Sequence, residues 1–170
     1  MRLPFLLLLA LALTACASNP EPAEQAAPAS AEEQTAQAAD AATPDPSLPV
    51  MTVYKTATCG CCRAWVTHLQ QNGFRVETID LPSLAQVKEQ YGIPDSLSAC
   101  HTGVVGGYVV EGHVPAADVR RLLREQPEAA GLAVPGMPIG SPGMEVPGQP
   151  AQPYAVYLVE DGGATVYTRH

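Results

Sequence analysis

Apolar positions in this chain follow two rhythms, and a coarse fold can be read from where they change. Val50-Met51-Thr52-Val53-Tyr54 is rich in β-branched and aromatic residues and reads as a strand. Thr56-Ala57-Thr58 turns the chain, with Thr58 placed to cap a helix. From Cys61 to Gln71 the apolar residues Cys62, Trp65, Val66 and Leu69 fall on one helical face, and Asn72-Gly73 supplies the stop. Phe74 to Ile79 alternates as a second strand, and Ser83 precedes a short helix from Leu84 to Tyr91. Val104 to Val114 is broken by Gly106-Gly107 into two short strands joined by a hairpin or bulge. Pro115 opens a third helix lined by Ala116, Val119, Leu122 and Leu123, with Asp118 in the first turn and Arg124 near the end, as the helix dipole favours. Five glycines and five prolines crowd residues 131–150, so no regular element is expected there. Tyr154 to Val159 and Ala164 to Thr168 then flank Asp161-Gly162-Gly163 as a terminal hairpin.

The order strand, helix, strand, helix, two strands, helix predicts a single α/β domain with a central mixed sheet. A strand feeding a helix that begins at a Cys-x-x-Cys is a thioredoxin-like signature. To that unit the chain adds the C-terminal hairpin and the Gly/Pro-rich loop.

The start of the chain is of another kind. Met1-Arg2 is followed by an apolar run to Ala15, too short for the roughly 20 residues that span a bilayer, and small residues end it. Residues 1–15 therefore read as a secretory signal. Leu13-Thr14-Ala15-Cys16 resembles the lipobox of bacterial lipoproteins, which implies cleavage before Cys16, a diacylglycerol on its sulfur and, with Ala17 next, an outer-membrane destination. Residues 16–48 lack aromatic and basic side chains and carry six acids, the composition of a disordered tether. That tether holds most of the net charge of −8. Residues 49–170, the expected thioredoxin-like domain, have eight basic and eleven acidic residues, so no basic face calls for nucleic acid. An exported chain meets an oxidising compartment in which disulfides persist.

The chemistry lies in the cysteines. Cys59 and Cys62 have the Cys-x-x-Cys spacing at the expected helix start, where free N–H groups and the positive dipole end favour thiolate. Cys61 intrudes between them. At about 100° per residue it would point away from Cys62, so the three sulfurs are expected to fan out. Cys100-His101 stands just before a strand that, in thioredoxin-like folds, follows a residue close to the Cys-x-x-Cys loop, usually a cis-proline. That placement would gather four sulfurs and an imidazole at one corner. Crowded thiolates repel, and a cation resolves the repulsion; soft ligands select Cu(I), zinc or iron–sulfur clusters. Met137 and Met144 add thioethers on the Gly/Pro loop, although methionine also serves as an adaptable packing residue. His113 at a strand end reads as a capping or hydrogen-bonding residue, His68 as solvated, Trp65 as core, and His170 carries no signal.

Several blocks together resemble a known family: Cys59-Gly60-Cys61-Cys62 with Trp65, Cys100-His101-Thr102, Glu111-Gly112-His113-Val114-Pro115-Ala116, Gly131 through Pro138, and Gly140 through Glu145. The pattern is similar to the CopG-type periplasmic copper-binding family. The resemblance implies a thioredoxin-like fold, a periplasmic setting, a link with copper resistance, and copper, expected as Cu(I), bound by Cys59, Cys61, Cys62, Cys100 and His101. A copper exporter or a periplasmic copper chaperone would be the partner. Two other readings stay open: a thiol–disulfide oxidoreductase with Cys59 as nucleophile and Cys62 as resolving thiol, and a zinc or iron–sulfur carrier. The same sulfurs are compatible with a binding role and with copper or thiol–disulfide oxidoreductase activity.

Overall fold

A computed structural model describes residues 42–170. The expected signal at 1–15, the lipidated Cys16 and most of the expected tether lie outside the described residues. Seven strands form one mixed sheet in the order β2-β1-β3-β4-β5-β6-β7. They are β1 (Met51–Lys55), β2 (Val76–Asp80), β3 (Thr102–Val105), β4 (Tyr108–Gly112), β5 (Gly131–Val134), β6 (Ala155–Glu160) and β7 (Gly163–Arg169). Between them run α1 (Gly60–Gln71), α2 (Ala85–Gln90) and α3 (Ala116–Glu125). β1 pairs with β2 and β4 with β5 in parallel; the other neighbours are antiparallel. The single α/β domain with a central mixed sheet and a terminal hairpin is thus what forms. Among the described residues no helix is long and apolar enough to cross a membrane.

The core joins the buried face of α1 (Trp65, Val66, Leu69) to that of α3 (Ala116, Val119, Leu122) and to Met51, Val53, Val105, Val110, Leu132, Val134 and Val156 from the sheet. Val110 belongs to this core. Its neighbours Val109 and Glu111 point to the opposite face because strand side chains alternate. Lys88 of α2 reaches Glu111, so α2 covers that second face.

Four local expectations are corrected. The α1 cap is Cys59, not Thr58: the Cys59 sulfur accepts the Cys62 N–H at 3.2 Å. β2 begins at Val76, while Phe74 precedes it and is buried in the core. The Gly/Pro-rich stretch does hold a strand, because β5 satisfies its backbone groups between β4 and β6 and is buried throughout. Gly131 permits this approach, since a Cβ there would stand 1.8 Å from the Val109 carbonyl oxygen. At the other end of the domain, the last residues of the expected tether are tied down. The Asp45 N–H donates to the Gly73 carbonyl, its carboxylate pairs with Arg120, and Leu48 packs on the core.

Candidate metal centre

The centre forms where the N-terminus of α1 meets the segment entering β3. With Cys59 at the cap and Cys61 and Cys62 in the first turn, a disulfide joins Cys59 to Cys62 and leaves Cys61 and Cys100 as free, half-buried thiols. The expected fanning of the sulfurs does not occur, because Cys59 lies ahead of the helix and leans back over its first turn. Cys61 Sγ is 3.6 Å from Cys59 Sγ and 3.8 Å from Cys100 Sγ. The Cys62 sulfur, without a proton in the disulfide, touches the Cys100 carbonyl oxygen at 3.5 Å. All four sulfurs lie within 4.8 Å of one another.

Cys100 is also the hinge to a second group. Its sulfur is 3.3 Å from His101 Nδ1 and 3.3 Å from His113 Nε2. His113 donates from Nδ1 to the Pro142 carbonyl at 2.8 Å, since a carbonyl can only accept. That bond fixes the tautomer and leaves the Nε2 lone pair facing Cys100. The sequence pattern assigned His113 only a capping or hydrogen-bonding role. It does hydrogen-bond, and it also joins the thiol cluster. A signal for this was present: a hairpin turning on Gly106-Gly107 sets Thr102 opposite Glu111, and continuing that register places residue 100 opposite 113.

His101 is fully buried between the Trp65 ring, 4.2 Å away centre to centre, and the edge of His113 at 4.9 Å. Burial, reinforced by His113, pushes its pKa down to about 3, so the ring is neutral and able to ligate. Its Nε2 has no hydrogen-bond partner among the described residues. Burial likewise lowers the pKa of His113. Cys100 moves the other way: burial, then the nearby Cys61, pushes its thiol up to about 12. Metal-free Cys100 therefore holds its proton, and its thiolate forms readily only when a cation arrives to offset the charge. With the Cys59–Cys62 bond reduced, four sulfurs and two neutral imidazoles make a soft donor set suited to Cu(I) or zinc.

The other candidate residues have separate places. Met137 is 53% exposed on the loop surface and Met144 is half-buried. Trp65 is core, as expected, and donates from Nε1 to the Val114 carbonyl at 2.8 Å. His68 is not simply solvated: it is half-buried, and its Nε2 accepts the Ala116 N–H at the start of α3. His170 is not idle either, since it bonds the buried Asp118 at 2.7 Å and stacks on Tyr154. The loop that holds His113 also closes on α1. At Gly143, φ is +85° and a Cβ would stand 2.7 Å from Trp65 N and 2.9 Å from Cys61 O.

A sulfur-rich corner on a mixed α/β sheet, able to hold a soft metal, is the class of protein these features define. Residues 97–144 match the family described as a protein of unknown function, DUF411. No curated protein matches the chain. Two solved structures are similar, both of a copper resistance protein copG. Form 2 shares 45% identity over 72% of this chain and 98% of that one with a TM-score of 0.68; form 1 has the same identity and coverage and a TM-score of 0.67. At that identity and coverage, the chain belongs to the copper resistance protein copG family, and its function is copper-related.

Proposed function

We propose that this chain binds Cu(I) in the periplasm, through the thiolates of Cys59, Cys61, Cys62 and Cys100 and the imidazole of His101, with His113 beside them. The observation that carries the reading is the meeting of four sulfurs from two distant segments within 4.8 Å. The strand order β2-β1-β3-β4 supports the thioredoxin-like reading of this half of the sheet. Full loading first needs the Cys59–Cys62 bond reduced by an external dithiol, which supplies two electrons and two protons and is itself oxidised to a disulfide. The copper would then be sequestered, passed to an exporter or chaperone, or cycled between valences, with the Met137 and Met144 loop shielding or transferring it. A lipid on Cys16 and the acidic tether would hold the domain to the outer membrane.

The test is anaerobic reduction, Cu(I) titration against a competing chelator, and elemental analysis. Cys59→Ser with Cys62→Ser should remove most of the loading. Unchanged copper content in that double variant refutes the proposal, and zinc or iron in its place selects the carrier reading. The disulfide keeps one rival alive: a thiol–disulfide oxidoreductase using Cys59 and Cys62. Sustained disulfide reduction by metal-free protein would favour it.

A further inference from the structure

Glu111 is a buried acid that copper chemistry does not need as a ligand, yet it sits under the site. Its side chain is 2% exposed. It lies on β4, two residues before His113, with its carboxylate turned to the α2 face. One oxygen, Oε1, accepts the Ala99 N–H at 2.6 Å and the Lys88 ammonium. The other, Oε2, accepts the Thr102 hydroxyl at 2.7 Å. The two oxygens therefore grip the residues immediately before and after Cys100-His101. On the same stretch the Gly112 N–H donates to the His101 carbonyl at 3.2 Å. Gly112 has φ +73°, and a Cβ there would stand 2.8 Å from Ala99 Cβ, so no side chain wedges the two segments apart.

Loops that carry functional side chains are precise only when their backbone is held by other elements. The Cys100 segment is neither helix nor strand at residues 99–101. The segment is entered from a hydrogen-bonded turn at Asp95–Leu97 with Leu97 buried and leaves into the β3–β4 ladder, so between those two ends residues 99–101 depend on the clamp and on contacts within the cluster. A carboxylate that spans residues 99 and 102 supplies the missing constraint. Lys88 compensates its charge, as a buried carboxylate requires.

Building on the copper-binding reading above, we propose that Glu111 is a positioning residue. Its carboxylate bridges Ala99 and Thr102 and so sets the distance between the Cys100 sulfur and the Cys61 sulfur. The feature that matters is the reach of the side chain across the dipeptide. Charge compensation with Lys88 is secondary. Glu111→Gln keeps that reach: its Oε1 can still accept from Ala99, and its amide can donate to the Thr102 hydroxyl. Glu111→Asp keeps the charge and shortens the arm by one methylene, so both contacts cannot be made together. A residue serving only to neutralise Lys88 would show the opposite order.

The test uses the full chain carrying Cys16→Ser, with the Cys59–Cys62 disulfide intact, so that Cys61 and Cys100 are the free thiols. Phenylarsine oxide is the probe, since it bridges two thiols only when their sulfurs are close and releases water in doing so. Folding of each variant is checked by circular dichroism, and Cu(I) affinity is measured after reduction. The expected result is that Glu111→Gln binds the arsenical within about threefold of the parent, and Glu111→Asp binds it at least tenfold more weakly. Cu(I) affinity should follow the same order. Any other order of the arsenical affinities, including equal loss in both variants or no loss in the aspartate variant, overturns the proposal. The arsenical measurement needs no copper, so a parent chain that bridges its thiols but fails to load copper would sink the function above and leave the positioning role standing.

Discussion

Acid should destabilise the metal-free protein well before its carboxylates titrate, and His101 should be the main reason. The ring is fully buried and its pKa is pushed down to about 3, against 6.5 for an ordinary histidine. A depressed histidine adds stability that is complete above the unfolded-state value, and the protein loses it as pH falls from 6.5 toward 3. Below pH 6.5 the unfolded chain binds a proton that the folded chain refuses, so stability falls by about 1.4 kcal/mol per pH unit. At pH 5.0 the loss from this residue alone is about 2 kcal/mol, a large share of the 5–15 kcal/mol that typical domains have. His113 and His68 are lowered by burial too and act with the same sign. The assay is urea unfolding of oxidised, metal-free protein between pH 7.5 and 5.0, with His101→Phe as the comparison. Phenylalanine keeps an aromatic ring against Trp65 and removes the titration. It should take about one proton out of the pH dependence. A His101→Phe variant with the parent slope would refute this, because no buried neutral imidazole would then be resisting protonation at residue 101.

Two further outcomes are expected from the same geometry. With its thiol raised to about 12, Cys100 in the folded, metal-free protein should react with iodoacetamide at pH 8 more than tenfold slower than a free cysteine, and stability should fall as pH rises above 9; mass spectrometry of the alkylated peptides and an alkaline melting series check both, and fast labelling of folded protein at Cys100 contradicts the first. Gly143→Ala forces a Cβ at positive φ against the first turn of α1, whereas Gly136→Ala adds one at φ +71° with nothing within 4 Å. The first should cost about 2 kcal/mol or more and the second about 1 kcal/mol, read by denaturant midpoints, and equal costs would mean that the 142–143 strap does not press on the cysteine turn.

Local pattern was enough for much of the fold. Helical spacing of Cys62, Trp65, Val66 and Leu69 set α1 to within a residue, because one amphipathic face suffices to define a helix. Pro115, Asp118 and Arg124 marked α3, and Asp161-Gly162 marked the last hairpin. The cysteine motif showed the chemistry because Cys59, Cys61 and Cys62 are neighbours in sequence. The features that local pattern did not reveal share a cause, since each depended on a partner far along the chain. β5 is a strand only because β4 and β6 supply its hydrogen bonds, and no composition rule for a Gly/Pro-rich stretch contains that fact. His170 looked featureless until Asp118, on another element, faced it.

The amino-acid order by itself therefore determined the helices, most strands, the soft donor types and the family pattern, since these rest on periodicity and on residues adjacent in the chain. Tertiary structure alone decided the distances at which the four sulfurs meet, that His113 faces Cys100, and that Glu111 grips both sides of Cys100-His101. Distances of a few ångströms between segments tens of residues apart are set by sheet register and core packing. Those are properties of the whole fold, and no local stretch of sequence encodes them alone.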